Sequence, residues 1–141
     1  MRILFPNAKV LKTKLIDIHQ DWEVPIPAFF IISLNRKVRT FAEFNDQELW
    51  EFIKYLQILR KGMQEILKIE DVYFFQNEDT EHGFHFWVFP RFAWMEKFGI
   101  KIQSVRPIME FAKENLISEE KIKEVEVVAE KMKIYMQNNL I

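Results

Sequence analysis

The sequence has no cysteine at all, only three glycines and five prolines in 141 residues, and almost no excess of charge of either sign. Without cysteine there is no disulfide, no thiolate nucleophile and no thiolate metal site, and a mixed-charge chain of this kind suits the cytoplasm. Glycine and proline this sparse, with no low-complexity stretch and no internal repeat, leave nothing that reads as a linker; residues 1–141 are expected to form one domain. The 20 Lys and Arg are matched by 21 Asp and Glu, a formal net charge of -1. No overall positive field exists to hold a polyanion by counterion release, so polymeric nucleic acid is not an expected partner. No uncharged run approaches the length of a membrane span, and the apolar start, Met1 to Pro6, is too short for a signal core; no membrane association is expected.

What is present is apolar and aromatic material: 49% hydrophobic residues, among them 14 Phe, four Trp and three Tyr, enough to fill a single core. Imperfect alternation from Val10 to Ile18 predicts a half-buried strand, followed by a turn at Gln20-Asp21-Trp22-Glu23. Phe29 to Ile32 is an apolar run of the length of a strand buried on both faces. Asn45 is a good helix N-cap with Glu48 at the capping-box position. Leu49, Phe52, Ile53, Leu56, Leu59, Met63 and Leu67 then recur at helical spacing, predicting an amphipathic helix over roughly Asp46 to Lys68. Val72 to Asn77 and Gly83 to Phe89 have strand character and read as antiparallel neighbours. Two helices close the chain: one from Ser104 or Val105 to Asn115, with Pro107 in its first turn, and one capped by Ser118 with an apolar stripe of Ile122, Val125, Ala129, Met132 and Tyr135 or Met136. Helices between and after antiparallel strands make the expected class α+β: an antiparallel sheet with one long amphipathic helix and C-terminal helices.

In the strand from Gly83 to Phe89, Phe84, Phe86 and Val88 share one side, while Gly83, His85, Trp87 and Phe89 share the other. The first set reads as core. The second carries one titratable group, an imidazole, beside an indole that can donate a hydrogen bond. A neutral imidazole is a competent nucleophile near pH 7. The basic side chains that could meet an anionic group are Arg91, Lys37 and Arg36, with Gln76 and Asn77 as neutral donors. His19, His82 and His85 do not make a metal set, because the two nearest have opposite sidedness and no carboxylate cluster completes a sphere. Plainer readings stand beside these: Trp87 and Phe89 as core residues of a sheet covered on both sides, and Arg36, Lys37 and Arg39 as a solvated turn.

Residues Gly83-Phe84-His85-Phe86-Trp87-Val88-Phe89-Pro90-Arg91 resemble the histidine triad motif, His-x-His-x-His followed by two apolar residues and often by Pro-Arg. Phe30 to Leu49 is similar to that family's apolar strand, basic turn, aromatic spacer and capped long helix. The resemblance implies a histidine triad fold and makes His85 the counterpart of the middle histidine, which attacks the α-phosphorus and carries the nucleotidyl group. It further implies a hydrolase or nucleotidyl transferase acting on a nucleoside phosphate, a dinucleoside polyphosphate or a phosphoramidate, with the diadenosine tetraphosphate hydrolases as the preferred branch. No cofactor is required, although a divalent metal can arrive with the substrate, and a homodimer is expected. Gly83 and Trp87 replace the outer histidines, and Lys37 stands where many members have a further one. The indole of Trp87 can give phosphate a hydrogen bond but no proton, which favours leaving groups that need none. By its distance from the apolar strand, Asp21 falls where the family often binds ribose hydroxyls, and Trp22 or His19 beside it could line a base pocket. Two other readings stay open: a nucleotide-binding module without turnover, and a partner-binding protein if Gly83, His85 and Trp87 lie buried under the C-terminal helices.

Overall fold

The structure, a computed structural model, describes residues 2–141; Met1, the first residue of the apolar start, lies outside them. Where the alternation from Val10 to Ile18 predicts one strand, the chain makes two, β1 (Lys9–Lys12) and β2 (Ile16–Gln20), joined as an antiparallel hairpin. The turn is built by side chains. Thr13 Oγ1 accepts from the amides of Leu15 and Ile16 at 3.1 and 3.0 Å, and the Asn35 side chain donates to the Thr13 carbonyl at 2.8 Å. A hydroxyl that takes over the backbone donors in this way makes a turn without glycine or proline, which hides it from a search for turn residues.

The remaining elements follow the pattern of the sequence more closely. They are β3 (Phe30–Leu34), α1 (Asp46–Glu65), β4 (Val72–Phe75), β5 (His85–Pro90), α2 (Val105–Asn115) and α3 (Glu119–Gln137). The five strands form one antiparallel sheet in the order β1-β2-β3-β5-β4. Asn45 and Glu48 close the capping box at the start of α1. The helix stops before Lys68 because that residue takes a left-handed φ of 58° and Arg60 satisfies the carbonyls of Ile69 and Glu70 beyond it. Ser118 caps α3 by accepting from the Lys121 amide at 3.0 Å. Two short 3-10 stretches, Ala93–Phe98 and Ile102–Ser104, fill the chain between β5 and α2.

The helices divide between the two faces of the sheet. On one face, Ile16, Ile18, Phe30, Ile32 and Val88 pack with Phe52, Leu59 and Met63 of α1 and with Val125, Ala129, Met132 and Met136 of α3. At Gly62 the two helices come so close that a Cβ would stand 2.6 Å from the ring of Tyr135. On the other face, Val105, Ile108 and Ala112 of α2 cover Val24, Ile26, Phe29, Phe89 and Met95. That cover is partial, and it leaves His85 and Trp87 half-buried. No helix among the described residues is long and apolar enough to cross a membrane.

Candidate functional site

The alternation read from β5 holds: Phe84, Phe86 and Val88 point into the core under α1 and α3, while Trp87 and Phe89 belong to the face that α2 partly covers. Strand register then sets this second face in rows. Asp17, Ser33 and His85 are partners across β2, β3 and β5; His19, Ile31, Trp87 and Phe75 form the next row. Residues two apart on one strand are about 7 Å apart along the backbone and share a face, so His85 and Trp87 are neighbours along β5.

Beside the Trp87 row, the edge of α2 stands up from the sheet and makes a cleft of about 430 Å³. Asp21, Phe75, Asn77 and Trp87 form its sheet side; Val105, Arg106, Met109 and Lys113 are among the residues of its helical wall. Asp21 is buried, yet both its oxygens are used. Oδ1 accepts from the amides of Glu23 and Val24 at 3.0 and 2.9 Å, and Oδ2 from the indole Nε1 of Trp87 at 3.4 Å. Burial pushes the Asp21 carboxyl above its usual range, against the opposing pull of those hydrogen bonds. Lys113 reaches Glu23 at 3.7 Å and so ties α2 to the turn that holds Asp21.

His85 sits one step out from the cleft. Ser33 is its partner in the register, His82 has its ring centroid 5.8 Å away, and Trp87 meets it edge to face at 5.8 Å. Burial first, and the neighbouring His82 second, hold its pKa below that of an ordinary imidazole. It is therefore neutral at pH 7, with a lone pair to offer. Next to it, a Cβ on Gly83 would meet the Val38 carbonyl at 3.4 Å and Lys37 Cγ at 3.6 Å, so the aliphatic stem of Lys37 borders the first triad position.

Several residues named from the sequence are engaged elsewhere. Arg36 forms a two-pronged pair with Glu48, at 3.0 and 2.8 Å, and donates to the Glu43 carbonyl; this fixes the start of α1 rather than leaving a phosphate clamp. Arg91 follows the far end of β5, about 20 Å from His85 for an extended run of six residues. Its guanidinium donates to the Gly99 carbonyl at 2.8 Å and to Ser104 Oγ at 3.2 Å, so the structure does not bring Arg91 to His85. Gln76 gives its amide to the Asn77 carbonyl. Trp22 stacks on His19, with centroids 4.3 Å apart and planes at 7°, and the His19 Nδ1 faces the Gln20 carbonyl; neither ring lines the cleft. The indole N–H of Trp87, expected to serve phosphate, points to Asp21 instead. Among the described residues there is no group of three or more His, Asp or Glu that could hold a metal ion.

Solved structures share this fold. A Hit-like protein involved in cell-cycle regulation from Bartonella henselae, solved with an unknown ligand, matches with a TM-score of 0.63 at 18% identity, over 92% of this chain and 87% of its own. A hypothetical histidine triad nucleotide-binding protein from Sulfolobus tokodaii strain7 matches at 0.63 and 10% identity, over 93% and 84%. The fold is that of the histidine triad proteins. A zinc-bound histidine triad family protein from Mycobacterium smegmatis adds a third match, with a TM-score of 0.58 at 12% identity, over 90% and 86%. No family sequence model and no curated protein matches the sequence.

Within the histidine triad fold, Asp21, Asn77 and Trp87 meet at the cleft, His85 stands beside Trp87, and Lys37 borders Gly83. What the sequence signals missed is the contribution of Phe75, Ser33 and α2. Arg106, Met109 and Lys113 recur at helical spacing beside the buried stripe of Val105, Ile108 and Ala112, but which way that second edge faces is decided only by the docking of the helix.

Proposed function

We propose that this chain binds a nucleoside phosphate in the cleft beside Trp87 and hydrolyses or transfers its nucleotidyl group through His85. The observation that carries the reading is a neutral, half-buried imidazole on the same sheet face as the cleft and one residue pair along β5 from its floor. In the first step, a ring nitrogen of His85 attacks the α-phosphorus. A P–N bond forms while the P–O bond to the leaving group breaks, and its electron pair departs with that group. Water then attacks the phosphorus, the P–N electron pair returns to His85, and the proton lost by the water passes to solvent. Because no acid stands at the Trp87 position, a polyphosphate that leaves as an anion is the favoured leaving group, and a dinucleoside polyphosphate such as diadenosine tetraphosphate is the preferred substrate.

The test is mass spectrometry of products from wild type and His85→Ala incubated with adenosine-containing polyphosphates and a phosphoramidate, first without metal and then with magnesium. Cleavage by wild type alone, faster for the polyphosphates, supports the mechanism. Absence of cleavage by either, with nucleotide still bound, favours the second reading, a binding module. That reading draws on the replacement of both outer histidines and on the commitment of the Trp87 N–H to Asp21. A second copy of this chain is the proposed partner: β4 is a sheet edge with Phe74 exposed, and α1 exposes Trp50 and Ile53. Unpaired apolar edges of this kind are normally covered. Light scattering that returns twice the 17.2 kDa chain mass supports this pairing, and the mass of one chain ends it.

A further inference from the structure

Trp87 has two features that do not suit a phosphate ligand. Its only hydrogen-bond donor is directed at Asp21 Oδ2, 3.4 Å away. Its ring is stacked against that of Phe75, with centroids 5.5 Å apart and planes at 11°, so Phe75 backs one face of the indole. Both rings line the cleft, and Met109 and Val105 of α2 stand on its other wall. The face of an aromatic ring is the negative end of its quadrupole, which repels an anion but stacks on another flat, electron-poor ring. An aromatic floor opposite aliphatic side chains is therefore a slot for a planar heterocycle. The rings expected to do this job, Trp22 and His19, are stacked on each other outside the cleft.

We propose that Trp87, backed by the stacked ring of Phe75, is the platform on which the nucleobase stacks, with Met109 of α2 closing over it. The proposal rests on the nucleotide reading above and specifies where in that site the base lies. In this arrangement the replacement of a triad histidine by Trp87 changes the position from one that handles phosphate to one that holds the base. The phosphate then runs along β5 to His85, whose ring centroid is 5.8 Å from that of Trp87. That step is about the length that separates a base from its own α-phosphate. Asp21, already fixed at the edge of the Trp87 ring, is left with the sugar.

Calorimetric titration with AMP, ribose 5-phosphate and pyrophosphate separates the contributions of base, sugar and phosphate. The variants are Trp87→Leu, Met109→Ala and Trp22→Leu, with tryptophan fluorescence followed in parallel. Wild type should bind AMP at least about tenfold more tightly than ribose 5-phosphate, the scale of one stacked base. Trp87→Leu should remove that advantage, lowering AMP affinity by far more than the small loss for ribose 5-phosphate that follows from freeing Asp21, and it should also remove the fluorescence change on AMP addition. Met109→Ala, which leaves the Trp87–Asp21 pair intact, should weaken AMP severalfold and ribose 5-phosphate not at all; it decides the matter if Trp87→Leu fails to fold. Trp22→Leu should change neither. If AMP binds but Trp87→Leu and Met109→Ala keep full affinity, or if Trp22→Leu is the variant that loses it, the platform is wrong while the nucleotide reading stands. If wild type binds none of the three ligands, both are overturned.

Discussion

Beneath α1 and α3, the sheet presents Ile16, Ile18, Phe30, Ile32 and Val88, every one of them fully buried. On the opposite face only the end under α2 is closed to that degree, at Phe29 and Phe89, and the next rows hold His19, Asp21, Trp87 and His85. The first face satisfies one requirement, apolar volume removed from water, and many sequences would meet it. The second must keep a buried carboxylate hydrogen-bonded, an imidazole neutral and a cleft open, each of which costs stability. The contrast teaches that stability and chemistry are divided between the faces, and substitutions on each should report on one and leave the other alone.

The largest effect belongs to the dry face. Leu59 is fully buried between α1 and the sheet, so Leu59→Ala should cost about 2–5 kcal/mol in urea unfolding. Nucleotide affinity of the folded fraction should stay at the wild-type value. A loss of affinity as large as the loss of stability would show that the two faces are coupled, and the division would fail.

Asp21→Asn tests the other side of the contrast. Because burial raises the Asp21 pKa above its unfolded value, the contribution of this group to stability is full at acid pH and is lost as pH rises through the raised value. At pH 7 the ionised carboxylate is thus a burden that the three hydrogen bonds only partly offset. Asparagine removes the charge and keeps an oxygen for the amides of Glu23 and Val24. Its melting temperature at pH 7 should match or exceed that of wild type, with a stability difference within about 1 kcal/mol, while AMP affinity falls. A clear drop in stability would mean that Asp21 is kept for the fold and not for a ligand.

The same division explains what was legible in the sequence. The fold class, α1 with its capping box, the sidedness of β5 and the cap at Ser118 all follow from local periodicity and local hydrogen bonding, and these survive translation into structure. The β1–β2 hairpin was hidden because Thr13 and Asn35 build its turn with side chains rather than with a conspicuous turn residue. Site residues that depend on strand register, His85 beside Ser33 or Trp87 beside Phe75, need a pairing partner that the linear pattern does not name. Charge alone points Arg36 and Arg91 toward phosphate. Each has a nearer bond that outcompetes that role, Glu48 for one and the Gly99 carbonyl for the other. A cation's destination is set by tertiary neighbours, and composition is silent on them.

The smallest effect is also the most specific to the wet face. The pKa of His85 lies below that of an ordinary imidazole, by burial first and by the charge of His82 second. Its neutral form is then the folded one, so the stability it contributes is full above its unfolded pKa and is lost as pH falls through the lower folded value. Turnover, where His85 is the nucleophile, should rise with pH and reach its plateau with a midpoint below the ordinary 6.5. His82→Gln removes the second imidazole without touching the cleft, and its midpoint should move upward, toward the ordinary value. NMR titration of the His85 ring checks the same shift without substrate. A midpoint that stays fixed in His82→Gln would assign the depression to burial alone, and one at or above 6.5 in wild type would mean that this face does not keep its imidazole dry enough to act as described.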